Sequence, residues 1–387
     1  MKILMVHNRY QIAGGEDSVV DAEVALLRHS GHEVVMHHAN NDGIKGALGK
    51  LSAALSATYS SKAKRELAVV LDRERPDVAH VHNFFPVLSP SIYDACAKAR
   101  VPVVQTLHNY RTICPGALLM RDQKVCELCV KGSPYQAVKY GCYRESKLGT
   151  LAVARMVATH RKQRTWSTKI QRIIALTAFA RAKFGEAGFD TDRIAIKPNF
   201  IADPVERGDL GAHDQGALFV GRISVEKGVD VMIDAWRDQE LPLRIAGDGP
   251  RYDELRTSAL PDSVGFLGRQ TKDQVYQAMR DARFMVMPSV WYEGFPMVIV
   301  EAFAHGLPVV CSRLGGMAEV VEDGVSGLHF EPGNPEDLAA KVQTLIDDPE
   351  RCRAMGQAAR DQFLAAYGPE QNIAHLERIY REAAQAL

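Results

Sequence analysis

The stretch "RFMVMPSVWYEGFPMVIVEAFAHG", residues 283–306, contains the pattern that decides the fold. A short apolar run is followed by a loop with Gly and Pro, and then by an apolar segment of helical length. This order is typical of a strand, a loop and a helix in an α/β sheet, with Pro296 as the first residue of a helix that ends near Gly306. Two carboxylates, Glu293 and Glu301, stand in this apolar stretch. Burying an unpaired carboxylate is costly, so each is expected to have a partner.

The same alternation recurs through the second half of the chain. Strand-like runs separated by helical segments are "ALFVG", "LRIAG", "SVGFLG", "FMVMPS", "PVVCS" and "GLHF". The first half repeats it with "KILMVH", "HEVVMHH", "DVAHVH" and "VPVVQTLH". Continuous apolar strands between helices predict two doubly wound parallel sheets, so the fold class is α/β.

These runs also suggest the domain boundaries. Residues 1–198 are expected to form the first domain and residues 217–367 the second. A segment rich in Pro, Gly and Asp at 199–216 is the expected linker. The last residues, about 368–387, predict a helix with no strand after it, and this helix would be able to pack back on the first domain.

Composition places the chain among ordinary soluble proteins. Apolar residues make up 46% and charged residues 24%, and the formal net charge is zero. Residues 1–198 nevertheless carry 29 Lys and Arg against 17 Asp and Glu, and the remainder carries the opposite excess. A basic half is suited to an anionic surface, and oppositely charged halves also attract each other. Both interpretations stay open.

Localisation is expected to be cytoplasmic. No apolar run approaches the ~20 residues of a membrane-spanning helix, and "MKILMVHNRY" lacks the features of a signal peptide. Seven cysteines, an odd number, fit reduced thiols better than a disulfide framework.

Cations and glycines follow several strands of the second half. Arg222 and Lys227 lie between the run "ALFVG" and the next helix, where backbone amides and the helix dipole favour anions. Gly249 and Arg269 follow two further strands. Each feature alone is common, because surface cations usually pair with acids and Gly turns are generic. Together with carboxylates that accept hydroxyl hydrogen bonds, they describe a site for a nucleotide sugar.

At these residues the sequence resembles a known family, the retaining glycosyltransferases of family 4. The resemblance spans the chain, is strongest from about 217 to 340, and is carried by "GRISVEKG", "AGDGP", "PSVWYEGFPMVIVEAFAHG" and "AGG". It implies the GT-B fold, in which two Rossmann-like domains face a central cleft.

The resemblance also implies roles for individual residues. Arg222 and Lys227 would bind the donor diphosphate, Glu293 the sugar hydroxyls and Glu301 the ribose. His108, at the end of "VPVVQTLH", would sit by the donor sugar, although an ordinary loop histidine is the alternative. The other expected donor-binding residues are Gly14 and Gly15, which would close over the phosphates, Gly294, Phe295 and Met297, which offer amides, and Pro296, which only shapes the loop.

The implied activity is transfer of a hexose from a UDP-, GDP- or ADP-sugar to a hydroxyl of a glycan or lipid-linked oligosaccharide. The anomeric configuration would be retained, and neither a metal nor another cofactor would be needed for catalysis. No nucleic-acid partner is expected. The context would be bacterial polysaccharide or lipopolysaccharide assembly. Two rival interpretations are a nucleotide-sugar epimerase on the same fold and an inactive glycan-binding or scaffold protein.

Four cysteines cluster in an insert at about 110–145. Cys114, Cys126, Cys129 and Cys142 include one C-x2-C pair, and four thiolates suit a structural zinc ion. A zinc ribbon usually has two such pairs, so free or redox-active thiols and an iron–sulfur cluster remain alternatives.

Two basic segments with an apolar face, residues 44–71 and 143–166, are compatible with peripheral contact to the inner face of the cytoplasmic membrane. Ordinary amphipathic helices packed on the first sheet explain them equally well.

Overall fold

The computed structural model describes residues 1–9, 15–40, 46–205 and 210–386. By its internal contacts the chain divides into two compact units. The first unit contains Met1–Leu119, Cys126–Asn199 and Pro369–Leu387, and the second contains Met120–Val125 and Phe200–Gly368.

The first unit is built on a parallel sheet of six strands in the order β2-β1-β3-β4-β7-β8. Its strands are β1 Lys2–Arg9, β2 Glu33–Asn40, β3 Val78–Asn83, β4 Val103–Leu107, β7 Arg172–Ala175 and β8 Ile194–Ile196. A short antiparallel hairpin, β5 Met120–Arg121 with β6 Lys124–Val125, is grouped with the second unit. The helices between Gly15 and Glu186 are α1 Gly15–His29, α2 Gly46–Ser56, α3 Ser61–Glu74, α4 Ile92–Ala99, α5 Leu128–Lys131, α6 Gln136–Tyr140, α7 Lys147–Lys162, α8 Thr165–Thr168 and α9 Ala178–Glu186.

The second unit repeats this plan in the order β11-β10-β9-β12-β13-β14, again with parallel neighbours. Its strands are β9 Ala217–Val220, β10 Leu243–Ala246, β11 Val264–Gly268, β12 Phe284–Met287, β13 Val309–Ser312 and β14 Gly327–Phe330. Its helices are α10 Val229–Ala235, α11 Tyr252–Arg256, α12 Lys272–Asp281, α13 Met297–Ala304, α14 Gly315–Val320, α15 Pro335–Asp347 and α16 Pro349–Ala366. The predicted α/β class with two doubly wound parallel sheets is confirmed.

Strand order determines where ligands can bind. In the second sheet β9 lies between β10 and β12, so the loops after β9 and β12 leave neighbouring strands and diverge to opposite faces. A crevice at such a switch point is the usual ligand site of an open parallel sheet. In the first sheet the corresponding strands are β1 and β3, with β4 beside β3.

The last helix, α17 Pro369–Gln385, belongs to the first unit. It contacts β3, β4 and β7, and its side chains Leu376, Ile379 and Tyr380 are fully buried. This apolar burial attaches the C-terminal segment to the first sheet.

The boundary between the units lies between Asn199 and Phe200, earlier than the end of the expected linker at 199–216. Within the second unit, Asp203 forms an ion pair of 2.6 Å with Arg360, and the Ile201 amide donates to the carbonyl of Tyr367. The described part of residues 200–216 is therefore packed on the second unit, and residues 206–209 lie outside the described ranges.

Within the described ranges, no helix has both the length and the apolar character needed to cross a membrane.

Candidate active site

Glu293 is the centre of a buried polar cluster in the second unit. Only 5% of its surface is exposed, and its Oε1 accepts from Lys227 Nζ at 2.7 Å, Ser289 Oγ at 2.7 Å and Trp291 Nε1 at 3.0 Å. The partner that the sequence required for this carboxylate is therefore Lys227. None of these three contacts uses Oε2.

Two loops from neighbouring strands make this contact. Lys227 ends a single 3-10 turn after β9, and Ser289 and Glu293 follow β12. Gly228 allows the two loops to approach each other closely. Its φ is +64°, and a Cβ at this position would overlap the carbonyl oxygen of Pro288. Only glycine combines this backbone angle with so close an approach.

Arg222 lies in the same loop as Lys227, and its side chain is exposed. Among the described residues it has no ion-pair partner. Gly249 packs against this loop so closely that a Cβ would overlap the carbonyl oxygen of Ile223. The loop therefore carries one exposed guanidinium and one half-buried ammonium, and two such cations suit a diphosphate.

Glu301 lies in α13, one turn into the helix, and is half-buried. Burial raises the pKa of Glu301 above its ordinary value, and the charge of Lys272 opposes this shift. Its carboxylate has no ion-pair partner in the described part of the chain. A half-buried carboxylate of this kind is able to accept hydroxyl hydrogen bonds from a ligand.

The start of the helix in the segment between Glu293 and Glu301 differs from the predicted start by one residue. Pro296 is the N-cap residue of α13, and the helix begins at Met297, not at Pro296. The backbone angles of Pro296 are φ −79° and ψ 94°, so the chain is still extended at this residue. Phe295 is buried and packs edge-on against Tyr367, with ring centroids 5.9 Å apart. Gly294 lies between Glu293 and Phe295 and is half-buried.

Of three further candidates, two are in the described part of the chain. Arg269 is exposed after β11, and Gly15 is the first residue of α1. Gly14 lies outside the described residues.

The first unit brings His108 into a buried network that the sequence did not reveal. His108 follows β4, and its Nε2 lies 2.9 Å from His82 Nδ1, near the end of β3. His82 Nε2 lies 3.3 Å from Glu23 Oε2, and the other oxygen of Glu23 is 2.6 Å from Lys197 Nζ. Glu23 and Lys197 are fully buried and His82 is 3% exposed.

Burial and neighbouring charges determine which groups of this network are ionised. Burial alone would raise the pKa of Glu23, but the charge of Lys197 and the nearby His82 imidazole outweigh it and hold the pKa well below its ordinary value. Burial lowers the pKa of His108 well below its usual value. Glu23 is therefore ionised and His108 neutral near pH 7.

Glu23, His80 and His82 each offer a ligand atom within 4.8 Å of the others. Both ring nitrogens of His80 are nevertheless engaged, Nδ1 with Tyr380 Oη and Nε2 with Thr106 Oγ1, each at 2.8 Å. Lys197 already neutralises Glu23, so a second cation at this carboxylate would be repelled. Hydrogen bonding, not metal ligation, accounts for this group.

His82, Glu23 and Lys197 are the residues that sequence reasoning missed. The alternating histidines of "DVAHVHN" and a glutamate inside an apolar helix were the available signals.

The four cysteines of the insert are all described, and none of them forms a disulfide. Burial, together with the neighbouring thiols Cys114, Cys142 and Cys126, raises the pKa of Cys129 to about 12. Cys114 and Cys142 approach the same face of Gly116. No three of the four sulfurs, however, lie within 4.8 Å of one another. The metal site stays a prediction.

Fold and site together define a class of protein: an α/β protein with two Rossmann-like units, one of which holds cations and carboxylates at its switch point. Sequence comparison gives the family. Residues 208–362 match the profile of the glycosyl transferases group 1, and residues 14–199 match the glycosyl transferase 4-like domain. The chain belongs to these glycosyltransferases, family 4, and has their GT-B fold.

Individual relatives agree with this assignment. An uncharacterized glycosyltransferase of Methanocaldococcus jannaschii is 34% identical over 290 residues, which cover 72% of this chain and 68% of the relative. A second uncharacterized glycosyltransferase of that organism is 36% identical over 168 residues, 43% of this chain, and the match spans less than half, 47%, of its length. The Anabaena protein HepE, solved in complex with UDP, is 20% identical and superposes with a TM-score of 0.69 over 98% of this chain and 99% of its own.

The Glu23–Lys197 pair predicts a specific dependence of stability on pH. A glutamate whose pKa is depressed by folding contributes stability that is present above the ordinary pKa and is lost as the pH falls through the folded-state value. Below about pH 5 the free energy of unfolding should therefore fall more steeply for the wild type than for the double variant Glu23→Gln/Lys197→Met. Urea unfolding followed by circular dichroism at a series of pH values measures the two slopes.

The exposed pair Lys62 and Glu66 provides the control, since its side chains are 80% and 55% exposed. Lys62→Met/Glu66→Gln should keep the wild-type slope. Equal slopes for all three proteins would contradict the assignment of an ionised, Lys197-bound Glu23.

Proposed function

We propose that the protein is a retaining hexosyltransferase that takes its sugar from a nucleoside diphosphate sugar. The observation that carries the proposal is the contact between Lys227 and Glu293 at the switch point of the second sheet, with Arg222 exposed in the same loop as Lys227. A lysine ammonium has three N–H donors, so Lys227 is able to bind a phosphate oxygen while it still holds Glu293.

In the proposed reaction each of the candidate site residues has its own role. Arg222 and Lys227 neutralise the diphosphate as the bond between sugar C1 and the phosphate oxygen breaks, which is electrostatic stabilisation of the leaving group. Glu293 accepts hydrogen bonds from sugar hydroxyls, and Glu301 from the ribose. A new bond from C1 to the acceptor oxygen forms on the same face, and the acceptor proton passes to the departing phosphate. His108 contributes to handling the sugar or the acceptor hydroxyl.

A UDP-sugar is the first donor to test, because HepE has been solved with UDP and with UDP-glucose. The acceptor that we propose is a hydroxyl of a glycan or of a lipid-linked oligosaccharide, in polysaccharide assembly. No step assigned above uses a metal ion. A requirement for added Mg²⁺ or Mn²⁺ in the transfer reaction would contradict that part of the proposal.

Glu293→Ala should lower the turnover of UDP-glucose by roughly ten- to hundredfold and leave UDP binding intact, since the sugar loses a charged acceptor. Glu301→Ala should instead weaken UDP binding by about tenfold or more. Donor consumption measures the first effect and isothermal titration with UDP the second.

Glu350→Ala is the control, because the Glu350 side chain is 90% exposed. It should match the wild type in both measurements, with folding of each variant checked by circular dichroism. Near-normal turnover and UDP affinity in both test variants would show that the two glutamates are assigned wrongly. Conversion of the donor to an isomeric sugar nucleotide would indicate an epimerase instead.

We also propose that α7 binds an anionic membrane surface. Its inner face is buried, but Leu148 is 81% and Leu151 44% exposed, and the cations Lys147 and Arg155 are exposed on the same side. Leu55, 68% exposed, lies on α2, which packs beside α7. Apolar side chains flanked by cations are typical of helices that lie in a lipid interface.

Leu148→Glu/Leu151→Glu should reduce binding to vesicles of phosphatidylglycerol and phosphatidylcholine, because it places acids on the lipid-facing side. Sedimentation with vesicles measures the bound fraction. Val325→Glu, at a similarly exposed apolar residue of the second unit, is the control and should leave binding unchanged. Wild-type protein that does not sediment with these vesicles would end the proposal.

For Cys114, Cys126, Cys129 and Cys142 we propose a structural zinc site. The raised pKa of Cys129 shows that a thiolate is unfavourable among its neighbours unless a cation neutralises it. Zinc would supply that charge and would draw the sulfurs to a tetrahedral arrangement.

Elemental analysis of the purified protein should find about one zinc per chain, because the four thiolates would coordinate a single ion. The zinc should be lost in Cys126→Ser/Cys129→Ser. Cys311→Ser, at a buried thiol of β13 outside the insert, is the control and should keep it. Absence of stoichiometric metal, or iron in place of zinc, would refute the proposal.

A further inference from the structure

The four side chains His108, His82, Glu23 and Lys197 form a continuous chain of contacts at 2.9, 3.3 and 2.6 Å. Three of them lie in the interior, and only His108 is partly exposed. The position of each proton can be derived in turn, from Glu23 and Lys197 at the buried end to His108 at the partly exposed end.

Glu23 is an acceptor at both oxygens, since it is ionised. Lys197 donates to Oε1. Oε2 lies 3.3 Å from His82 Nε2, and neither of these two buried atoms has a hydrogen-bond partner among the described residues. A bare nitrogen lone pair facing a carboxylate oxygen would be repelled, so the proton of His82 is on Nε2.

His82 carries this single proton because the buried charges are already balanced. Glu23 and Lys197 cancel each other, and a second proton on His82 would add an uncompensated buried charge. The remaining titratable neighbours do not alter this balance. His80 packs on the His82 ring at 4.2 Å with both its nitrogens bonded to hydroxyls, and His7 is bonded through Nε2 to Asp17 at 2.8 Å.

The tautomer of His108 follows from that of His82. With its proton on Nε2, His82 has a lone pair on Nδ1, and this nitrogen lies 2.9 Å from His108 Nε2. One of the two must donate, so His108 carries its proton on Nε2. In a neutral ring Nδ1 of His108 then remains as a hydrogen-bond acceptor.

We propose that His82, held by Glu23 and Lys197, is a positioning residue that fixes the tautomer of His108, so that Nδ1 of His108 accepts a hydrogen bond from a substrate hydroxyl. The second part of this proposal rests on the proposed transferase function. The first part, the tautomer, does not. His82 never touches the substrate and acts only through His108, in the way that a carboxylate orients a catalytic imidazole.

Nitrogen NMR of protein labelled with ¹⁵N-histidine tests the tautomer without any reaction. The resonances of His108, identified by their loss in His108→Gln, should show a protonated Nε2 and an unprotonated Nδ1. This state should persist in His82→Asn, because the Asn amide oxygen replaces Nδ1 as acceptor, and should be lost in His82→Phe. A His108 that is protonated on Nδ1 in the wild type would overturn the proposal.

Turnover of UDP-glucose tests the consequence for the reaction. His82→Phe should lower kcat about tenfold or more while the affinity for UDP stays unchanged, and His82→Asn should recover most of the loss. In a His108→Gln background, replacement of His82 by Phe should have no further effect, because the two residues act as one unit. Thermal unfolding of each variant shows whether the fold survives.

The outcomes separate the two proposals. If the wild type does not turn over any nucleotide sugar, the transferase function fails while the NMR result still decides the tautomer. If the wild type is active and the loss in His82→Phe is equally large with and without His108, His82 has a structural role only and the positioning proposal is wrong.

Discussion

The ion pair between Lys227 and Glu293 is the interaction on which the proposed donor site depends. It joins two loops that leave the neighbouring strands β9 and β12, and Gly228 lets those loops approach closely enough to form it. Removing one partner of a buried pair leaves an uncompensated charge at a cost of about 3–5 kcal/mol. The pair is therefore expected to hold the Glu293 carboxylate in place before any ligand arrives, and such preorganisation is the usual requirement for electrostatic catalysis.

The first unit contains a second buried pair, Glu23 with Lys197, whose surroundings differ. Both its side chains are fully enclosed, whereas the Lys227 side chain is 18% exposed. An enclosed pair cannot exchange its partner for a ligand, so its effect must pass through the residues it touches. A partly exposed pair is able to share its cation with an incoming phosphate. We therefore propose that the same type of ion pair positions a side chain in one unit and binds a ligand in the other.

Much of the fold could be predicted from sequence because long apolar runs determine it. The runs "KILMVH" and "FMVMPS" correspond to β1 and β12, and Glu293 and Lys227 were predicted as site residues from the loops that follow such strands. The strand β7 and the hairpin β5–β6 were missed, since segments of four and two residues carry too little periodicity. The N-cap position of Pro296 was missed by one residue, which is within the ordinary uncertainty of a helix boundary.

Contacts between residues that are distant in sequence could not be predicted. Lys227 and Glu293 are 66 residues apart, and Glu23 and Lys197 are 174 apart, so no local pattern pairs them. In the sequence, Glu23 is one carboxylate of a helical segment and Lys197 is one basic residue among many. Only the sheet order, which places α1, β3, β4 and the segment after β8 around one interior, brings them to His82 and His108.

The most direct test of the account is the configuration of the sugar first released from its nucleotide. Proton NMR of UDP-α-glucose, GDP-α-glucose and ADP-α-glucose, each incubated with the purified protein, follows the anomeric signals before mutarotation. The account predicts consumption of one of these donors, with α-glucose or an α-glucoside as the first product. A first product with β configuration would contradict the retaining reaction, and a protein that leaves all three donors unchanged would contradict the assigned donor site.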